Sequence, residues 1–295
     1  MFSEFTEGHA AVRDADIAYV MAGSGPPVLL LHGFPQTKAL WARVAPILAQ
    51  VYTVVCADLR GYGASSKPDP GAEAAPYTFR AMASDQVGLM RALGFDRFHL
   101  VGHDRGARVA YRLALDHPEV VHSLTLMDIV PTDVVLGDIR RDVALAYYHW
   151  FFLAQPGGLP ERMIGRDADA YFESCLLGWG GSRLSDFAPD QLDAYRTAWR
   201  MPDAIRGMCA DYRAAATLDV ALDAVDAMRV LEMPTLILYG ATGVMARCYN
   251  VAETWSPRVA QMEAQTIPGG HFFVDTAPDA TATALAGFLE GVEVA

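Results

Sequence analysis

Val101-Gly102-His103-Asp104-Arg105-Gly106 sets a carboxylate between two glycines, where an apolar run at 98–101 gives way to a helical pattern. A Gly-x-x-x-Gly frame lets the chain turn sharply from strand into helix and holds the middle side chain out at the carboxyl edge of a sheet, as in a nucleophile elbow. The residue at that tip decides the chemistry. Serine would attack a carbonyl, whereas a carboxylate displaces a leaving group from saturated carbon and becomes an alkyl ester. Asp104 is read as that nucleophile, in preference to a plain N-cap of the helix that follows.

Three more segments bring polar groups to the same edge. His271 follows Pro268-Gly269-Gly270 late in the chain, where a base that activates water belongs, and Asp128 ends the run 124–127. The loop after 235–239, Gly240-Ala241-Thr242-Gly243-Val244, holds no carboxylate, so Asp128 is the available partner to orient His271 and stabilise its imidazolium. His32-Gly33-Phe34-Pro35 follows 29–31; there the backbone N–H of Phe34, with that of Arg105, would receive a developing oxyanion. His32 itself reads as a turn residue, and His9, His99, His117 and His122 as surface or turn residues.

Groups so scattered along the chain need a rigid frame. Valine-, leucine- and isoleucine-rich runs at 27–31, 53–57, 98–101, 123–127 and 235–239 lack strict alternation, which suits strands covered on both faces. Helical patterns at 38–50, 78–93 and 104–116 separate them, so an α/β fold with a mostly parallel sheet is expected, led by an antiparallel pair at 5–12 and 16–22. From 131 to about 228 strand-like runs give way to aromatics and short helical stretches. This divides the chain into a core of 1–132 and 228–295 and a helical cap of 133–227, placed over the carboxyl ends of the strands where pockets of open sheets lie.

Bulk properties exclude several classes. A net charge of −12, from 23 Lys+Arg against 35 Asp+Glu, argues against nucleic acid or an anionic membrane as partner. If the substrate is an anion, local arginines must supply the attraction. No window approaches ~18 uninterrupted apolar residues, and the start, with Glu4 and Glu7, does not read as a secretory signal. Cys56, Cys175, Cys209 and Cys248 are scattered, without zinc spacing or a disulfide framework, which suits a cytoplasmic protein. No ligand cluster calls for a metal or cofactor.

His32-Gly33-Phe34-Pro35-Gln36-Thr37, Gly102-His103-Asp104-Arg105-Gly106-Ala107-Arg108, Tyr148-His149-Trp150-Phe151-Phe152-Leu153-Ala154-Gln155-Pro156, Asp211-Tyr212-Arg213-Ala214 and Gly270-His271-Phe272 together resemble the fluoroacetate dehalogenases of the α/β-hydrolase superfamily. The resemblance implies an eight-stranded, mostly parallel sheet with flanking helices, a small haloacid substrate and a homodimer. It also implies that Arg105 and Arg108 clamp the substrate carboxylate, as planar guanidinium groups do well. His149, Trp150 and Tyr212 would bind the departing halide, with Trp179 lining the access route. By burial logic alone the aromatic run around His149 would be the cap's apolar face, and Arg108 a partner of a helix neighbour such as Asp104. Met245, Arg247 and Cys248 depart from the family pattern and bear on substrate choice if they reach the pocket.

The nearest rival reading is an epoxide hydrolase, for which Tyr147, Tyr148 and Tyr212 are candidate acids, but a charged clamp serves no purpose on a neutral epoxide. A haloalkane dehalogenase would carry tryptophan where Arg105 stands, and a non-catalytic binding module would not need nucleophile, acid and base together.

Overall fold

Residues 28–31 are apolar without interruption because β3 is covered on both sides: Val28 and Leu30 join one core, Leu29 and Leu31 the other. In the computed structural model, which describes residues 1–137, 139–178 and 181–292, β3 (Pro27–Leu31) lies near the centre of an eight-stranded sheet. The other strands are β1 (Thr6–Val12), β2 (Ala15–Ala22), β4 (Thr53–Ala57), β5 (Phe98–His103), β6 (Val121–Met127), β7 (Thr235–Gly240) and β8 (Met262–Ile267). Their order is β1-β2-β4-β3-β5-β6-β7-β8. The β1–β2 and β2–β4 pairs are antiparallel and the rest parallel, so the expected fold class is borne out.

Helices Phe79–Ala92 and Arg105–Asp116 cover one face, burying Met82, Val87, Val109 and Leu113. Trp41, Leu48 and, from helix Pro278–Glu290, Leu285 and Leu289 fill the other. Each fully buried side chain of this size contributes roughly 1.5–3 kcal/mol.

Three local expectations need correction. The helix expected over 38–50 is a 3-10 helix, Lys38–Arg43, followed by one α turn, Ala45–Leu48, because Pro46 lacks the N–H that a continuous helix would use there. His99 is not a surface residue: it is fully buried in β5, its Nδ1 2.8 Å from Ser123 Oγ. The strand β8 escaped notice because it pairs on one side only, its four middle residues are exposed, and it offers no apolar run.

Among the described residues no strand lies between β6 and β7; that span is helical, including Tyr148–Leu153, Pro189–Trp199 and Pro202–Ala214. Buried polar contacts tie it to the sheet domain. Gln191 Nε2 donates to the Ala39 carbonyl (2.8 Å), Tyr195 O–H to Asp275 (2.8 Å) and Tyr62 O–H to Asp211 (2.6 Å).

Candidate active site

The turn from β5 into the next helix is tight enough to require both glycines. A Cβ on Gly102 would lie 2.3 Å from the Gly106 carbonyl oxygen, and one on Gly106 2.4 Å from that of His32. Asp104 at the tip has φ 51 and ψ −114, a conformation that costs a non-glycine residue about 1–3 kcal/mol. It occupies the N-cap position, yet its side chain makes no capping bond. Instead Oδ1 accepts from the Phe34 N–H at 2.8 Å, and Oδ2 lies 3.8 Å from His271 Nε2. Burial would raise its pKa, but the charges of His271, His103 and Arg105 and the Phe34 N–H outweigh that and hold it below the usual carboxylate range.

Asp128, just past β6, is also left-handed, with φ 52. Its Oδ2 receives the His271 Nδ1 proton at 2.6 Å while Oδ1 accepts from Gly240 N–H at 2.9 Å. Burial pushes the His271 pKa down, but the bond and charge of Asp128, with the charge of Asp104, push harder, and the net shift is upward. His103 Nε2 donates to the His271 carbonyl at 2.8 Å, fixing the loop from below. His32 is a turn residue as expected: Nδ1 donates to the Gly33 carbonyl (2.9 Å) and Nε2 accepts from Leu59 N–H (3.1 Å).

Arg105 and Arg108, two of the three arginines on the elbow helix, are unlike. Arg105 makes a two-nitrogen pair with Asp211, Nε to Oδ2 at 2.9 Å and Nη2 to Oδ1, and Nη2 also reaches the Asp211 carbonyl at 3.1 Å. Its Nη1 has no partner among the described residues, and its guanidinium lies 4.3 Å from the centre of the Tyr212 ring and 4.7 Å from that of Phe79. Arg108 has no carboxylate partner among the described ion pairs. Nη1 donates to Thr132 Oγ1 (2.9 Å) and the Val130 carbonyl (3.2 Å), while Nε and Nη2 are buried without a partner among the described residues. Burial first and the neighbouring Arg105 second lower its pKa to about 10. Unmet charged donors in a buried site are costly, and an anion would satisfy them.

Three side chains of the helical insertion meet over the elbow. His149 stacks on Phe34 with ring centres 5.7 Å apart, Tyr212 crosses Phe34 edge-on at 5.1 Å, and Trp150 lies 5.9 Å from Tyr212 and 4.6 Å from the Arg108 guanidinium. All three are buried. Burial, then the charges of His271 and Arg105, keep His149 neutral. Burial, then the charge of Asp104, holds Tyr212 protonated, and its hydroxyl takes no hydrogen bond among the described residues.

The structure thus brings together Asp104, His271, Asp128, Phe34, Arg105, Arg108, His149, Trp150 and Tyr212. Trp179 lies outside the described residues. Of the three departures from the family pattern, Met245 is buried in the same apolar core, Cys248 is half-buried, and Arg247 is exposed and bonded to the Thr242 carbonyl, so it does not line the site. Asp211 was missed; the signal available was a lone acid directly before Tyr212. Among the described residues no group of three or more His, Cys, Asp and Glu side chains is placed to hold a metal ion.

A strained aspartate elbow, an aspartate-held histidine and a helical segment between β6 and β7 define the class. The chain belongs to the alpha/beta hydrolase fold family, whose model matches residues 26–278. It is 54% identical over 289 residues to the fluoroacetate dehalogenase of Burkholderia sp, covering 98% of this chain and 95% of that one, in keeping with the resemblance read from the motifs. It is also 31% identical to the soluble epoxide hydrolase of Corynebacterium sp. (strain C12), over 94% of this chain and 95% of the other. A proposed alpha/beta hydrolase from Nostoc sp PCC 7120 superposes with a TM-score of 0.97 at 45% identity, covering 99% of this chain and 100% of that one.

Proposed function

We propose that this chain is a hydrolytic dehalogenase that converts a haloacetate ion, fluoroacetate or chloroacetate, and water to glycolate and halide. The observation that carries this reading is the cluster of buried guanidinium nitrogens, Arg105 Nη1 and Arg108 Nε and Nη2, without partners among the described residues and beside the Asp104 carboxylate. An anionic substrate is repelled by Asp104 and by the protein's net charge of −12, so only cations at the site can hold it in line. Arg108 supplies uncompensated charge; Arg105, already balanced by Asp211, supplies orientation through Nη1.

Asp104 attacks the halogen-bearing carbon through Oδ2, and the carbon–halogen electron pair leaves with the halide. His149, Trp150 and Tyr212 give it two ring N–H groups and one O–H at the position where charge develops. The ester carbonyl is then Oδ1, already bonded to Phe34 N–H. Arg105 opens the helix, and its N–H is one of the first-turn donors without an intrahelical acceptor. His271 takes a proton from water, the hydroxide adds to the ester carbonyl, and Phe34 and Arg105 N–H groups receive the oxyanion. Its collapse breaks the bond from Oδ2 to the Asp104 acyl carbon, the glycolate alkoxide leaves with the proton from His271, and the Asp104 carboxylic acid loses its proton to solvent. Asp128 stabilises the imidazolium at 2.6 Å.

Residues 133–227 act as a cap domain over a core of 1–132 and 228–295, closing the site against water. Among the described residues no helix is long and apolar enough to cross a membrane; a cytoplasmic homodimer is the assembly the family likeness supports. The deciding experiment uses His271→Ala with chloroacetate. A peptide containing Asp104 should carry one carboxymethyl group by mass spectrometry after a single equivalent of chloride is released. An unmodified peptide in protein that still releases halide rules out the ester.

A further inference from the structure

The relative that opens epoxides and the relative that removes fluoride differ in what the leaving atom requires. Halide departs as a stable anion, whereas the oxygen of a three-membered ring must receive a proton. Among the described residues Tyr212 carries a hydroxyl suited to that task. Tyr212 is buried, its O–H takes no hydrogen bond among the described residues, and it shares the wall of Phe34, His149 and Trp150 where a departing group would sit. Tyr148 is 46% exposed. The clamp that makes no sense for a neutral epoxide makes sense for a charged one.

We propose that this site also hydrolyses short α,β-epoxy carboxylates, Asp104 opening the ring at the carbon next to the carboxylate and Tyr212 protonating the ring oxygen. The inference rests on the aspartyl-ester reading above. An Asp104 oxygen bonds to that carbon, the ring C–O bond breaks, and its electron pair takes the phenolic proton, leaving a hydroxyl on the substrate and tyrosinate at Tyr212. His271 then removes a proton from water, the hydroxide adds to the ester carbonyl, and the expelled alkoxide recovers that proton from His271. The carboxylic acid formed at Asp104 returns its proton to the tyrosinate. The sum is epoxy acid plus water giving dihydroxy acid, with every group restored.

The electrostatics favour the transfer at the moment it is needed. After burial, the charge of Asp104 is what holds the Tyr212 proton most firmly, and ester formation removes that charge. The tyrosinate left behind faces the Arg105 guanidinium, 4.3 Å from its ring centre. Tyr147 is buried too, but after burial Asp128 governs its proton most, and Asp128 keeps its charge throughout.

The test measures oxirane carboxylate, chloroacetate and glycidol side by side, by release of glycerate, chloride and glycerol. Glycerate should form, with kcat/KM at least ~100-fold above that for the uncharged glycidol, as for a substrate whose charge is bound by ionic hydrogen bonds. Tyr212→Phe should lower epoxy-acid turnover by ~100-fold or more, the usual range for losing a general acid. Chloride release, which loses one of its three halide donors but needs no proton, should fall by a clearly smaller factor, and an unchanged melting curve shows that the variant folds. Turnover of chloroacetate without glycerate, or equal losses on both acids in Tyr212→Phe, overturns the proposal while the dehalogenase reading stands. Failure on both acids by the unaltered protein overturns the ester reading beneath it.

Discussion

The strand ends and the helical insertion contribute to one site by opposite means. At the strand ends each group is fixed by backbone and by a bonded partner: Asp104 and Asp128 are both left-handed, Asp128 holds His271 at 2.6 Å, and Phe34 N–H holds Asp104 at 2.8 Å. From the insertion, His149, Trp150 and Tyr212 arrive on helices and meet through ring edges and faces 5.4–6.5 Å apart. The Tyr212 hydroxyl and, facing it from the helix that follows β5, three nitrogens of Arg105 and Arg108 are left without partners among the described residues, so the open donors line the seam between the two regions. A reaction path that makes and breaks covalent bonds needs the first kind of order. Choosing what the bond is broken from needs the second, since donors that already had partners would not reach for a substrate. Strand-end substitutions should therefore affect every substrate alike, and substitutions among the open donors should sort substrates.

The largest effect expected is from Asp104→Asn, which removes the attacking carboxylate. Turnover of chloroacetate and of any epoxide should fall together by ~10⁴-fold or more, on the scale seen when a nucleophile is deleted. Retained activity on one class would mean that the strand ends are not common to both. Arg108→Leu comes next. Haloacetate kcat/KM should fall ~10²–10³-fold, as when one charge-directed donor is removed, with little change on neutral epoxides such as glycidol. Equal loss on charged and neutral substrates would remove the clamp and with it the division between the two regions.

Much of the strand-end half was legible from the chain alone, because it is written in local signals: glycines two residues before and after Asp104, a Gly-Gly before His271, and apolar runs ending at Asp128. The insertion was legible only through its likeness to a family, since burial explains an aromatic run equally well without a substrate. The Asp211–Arg105 pair could not be read because its partners are 106 residues apart and belong to different regions. His99 misled for a related reason: a polar side chain in a central strand is tolerated when a neighbouring strand supplies a partner, here Ser123. Nor could β8 be found, since an edge strand owes its place to pairing with β7 along one side and not to apolar residues.

A pH series separates the two chemical steps within the strand-end half. Attack needs only ionised Asp104, whose pKa lies below the usual range, whereas ester hydrolysis needs neutral His271, whose pKa lies above it. As pH falls through the ordinary imidazole range, hydrolysis should stall before attack does. Acid quenching of reactions with chloroacetate at about pH 5 and about pH 8 should show a larger share of Asp104 as ester in the more acid sample. A share that stays flat would exclude His271 as the base that frees the ester.

The smallest effect expected lies behind the clamp. Asp219, buried at the end of the helical stretch that carries Tyr212, accepts the Phe79 N–H on Oδ1 at 3.0 Å, and the Phe79 ring supports the Arg105 guanidinium. Burial, against the Phe79 bond and the charge of Arg105, raises its pKa to about 8. A carboxyl with a raised pKa stabilises the fold fully below its unfolded value of ~4, and that contribution is lost as pH climbs through the folded value. Asp219→Asn keeps an acceptor for Phe79 but buries an NH₂ where Oδ2 has no partner, an offset of ~1–3 kcal/mol that does not depend on pH. The slope is therefore the readout. Between about pH 6 and about pH 9 the unaltered protein should lose more Tm than the variant, by ~2–4 °C for each kcal/mol of linkage. Parallel Tm curves would mean that Asp219 is ionised throughout, leaving a buried carboxylate beside Asp211 and weakening the contrast between the groups that are fixed by partners and those left open.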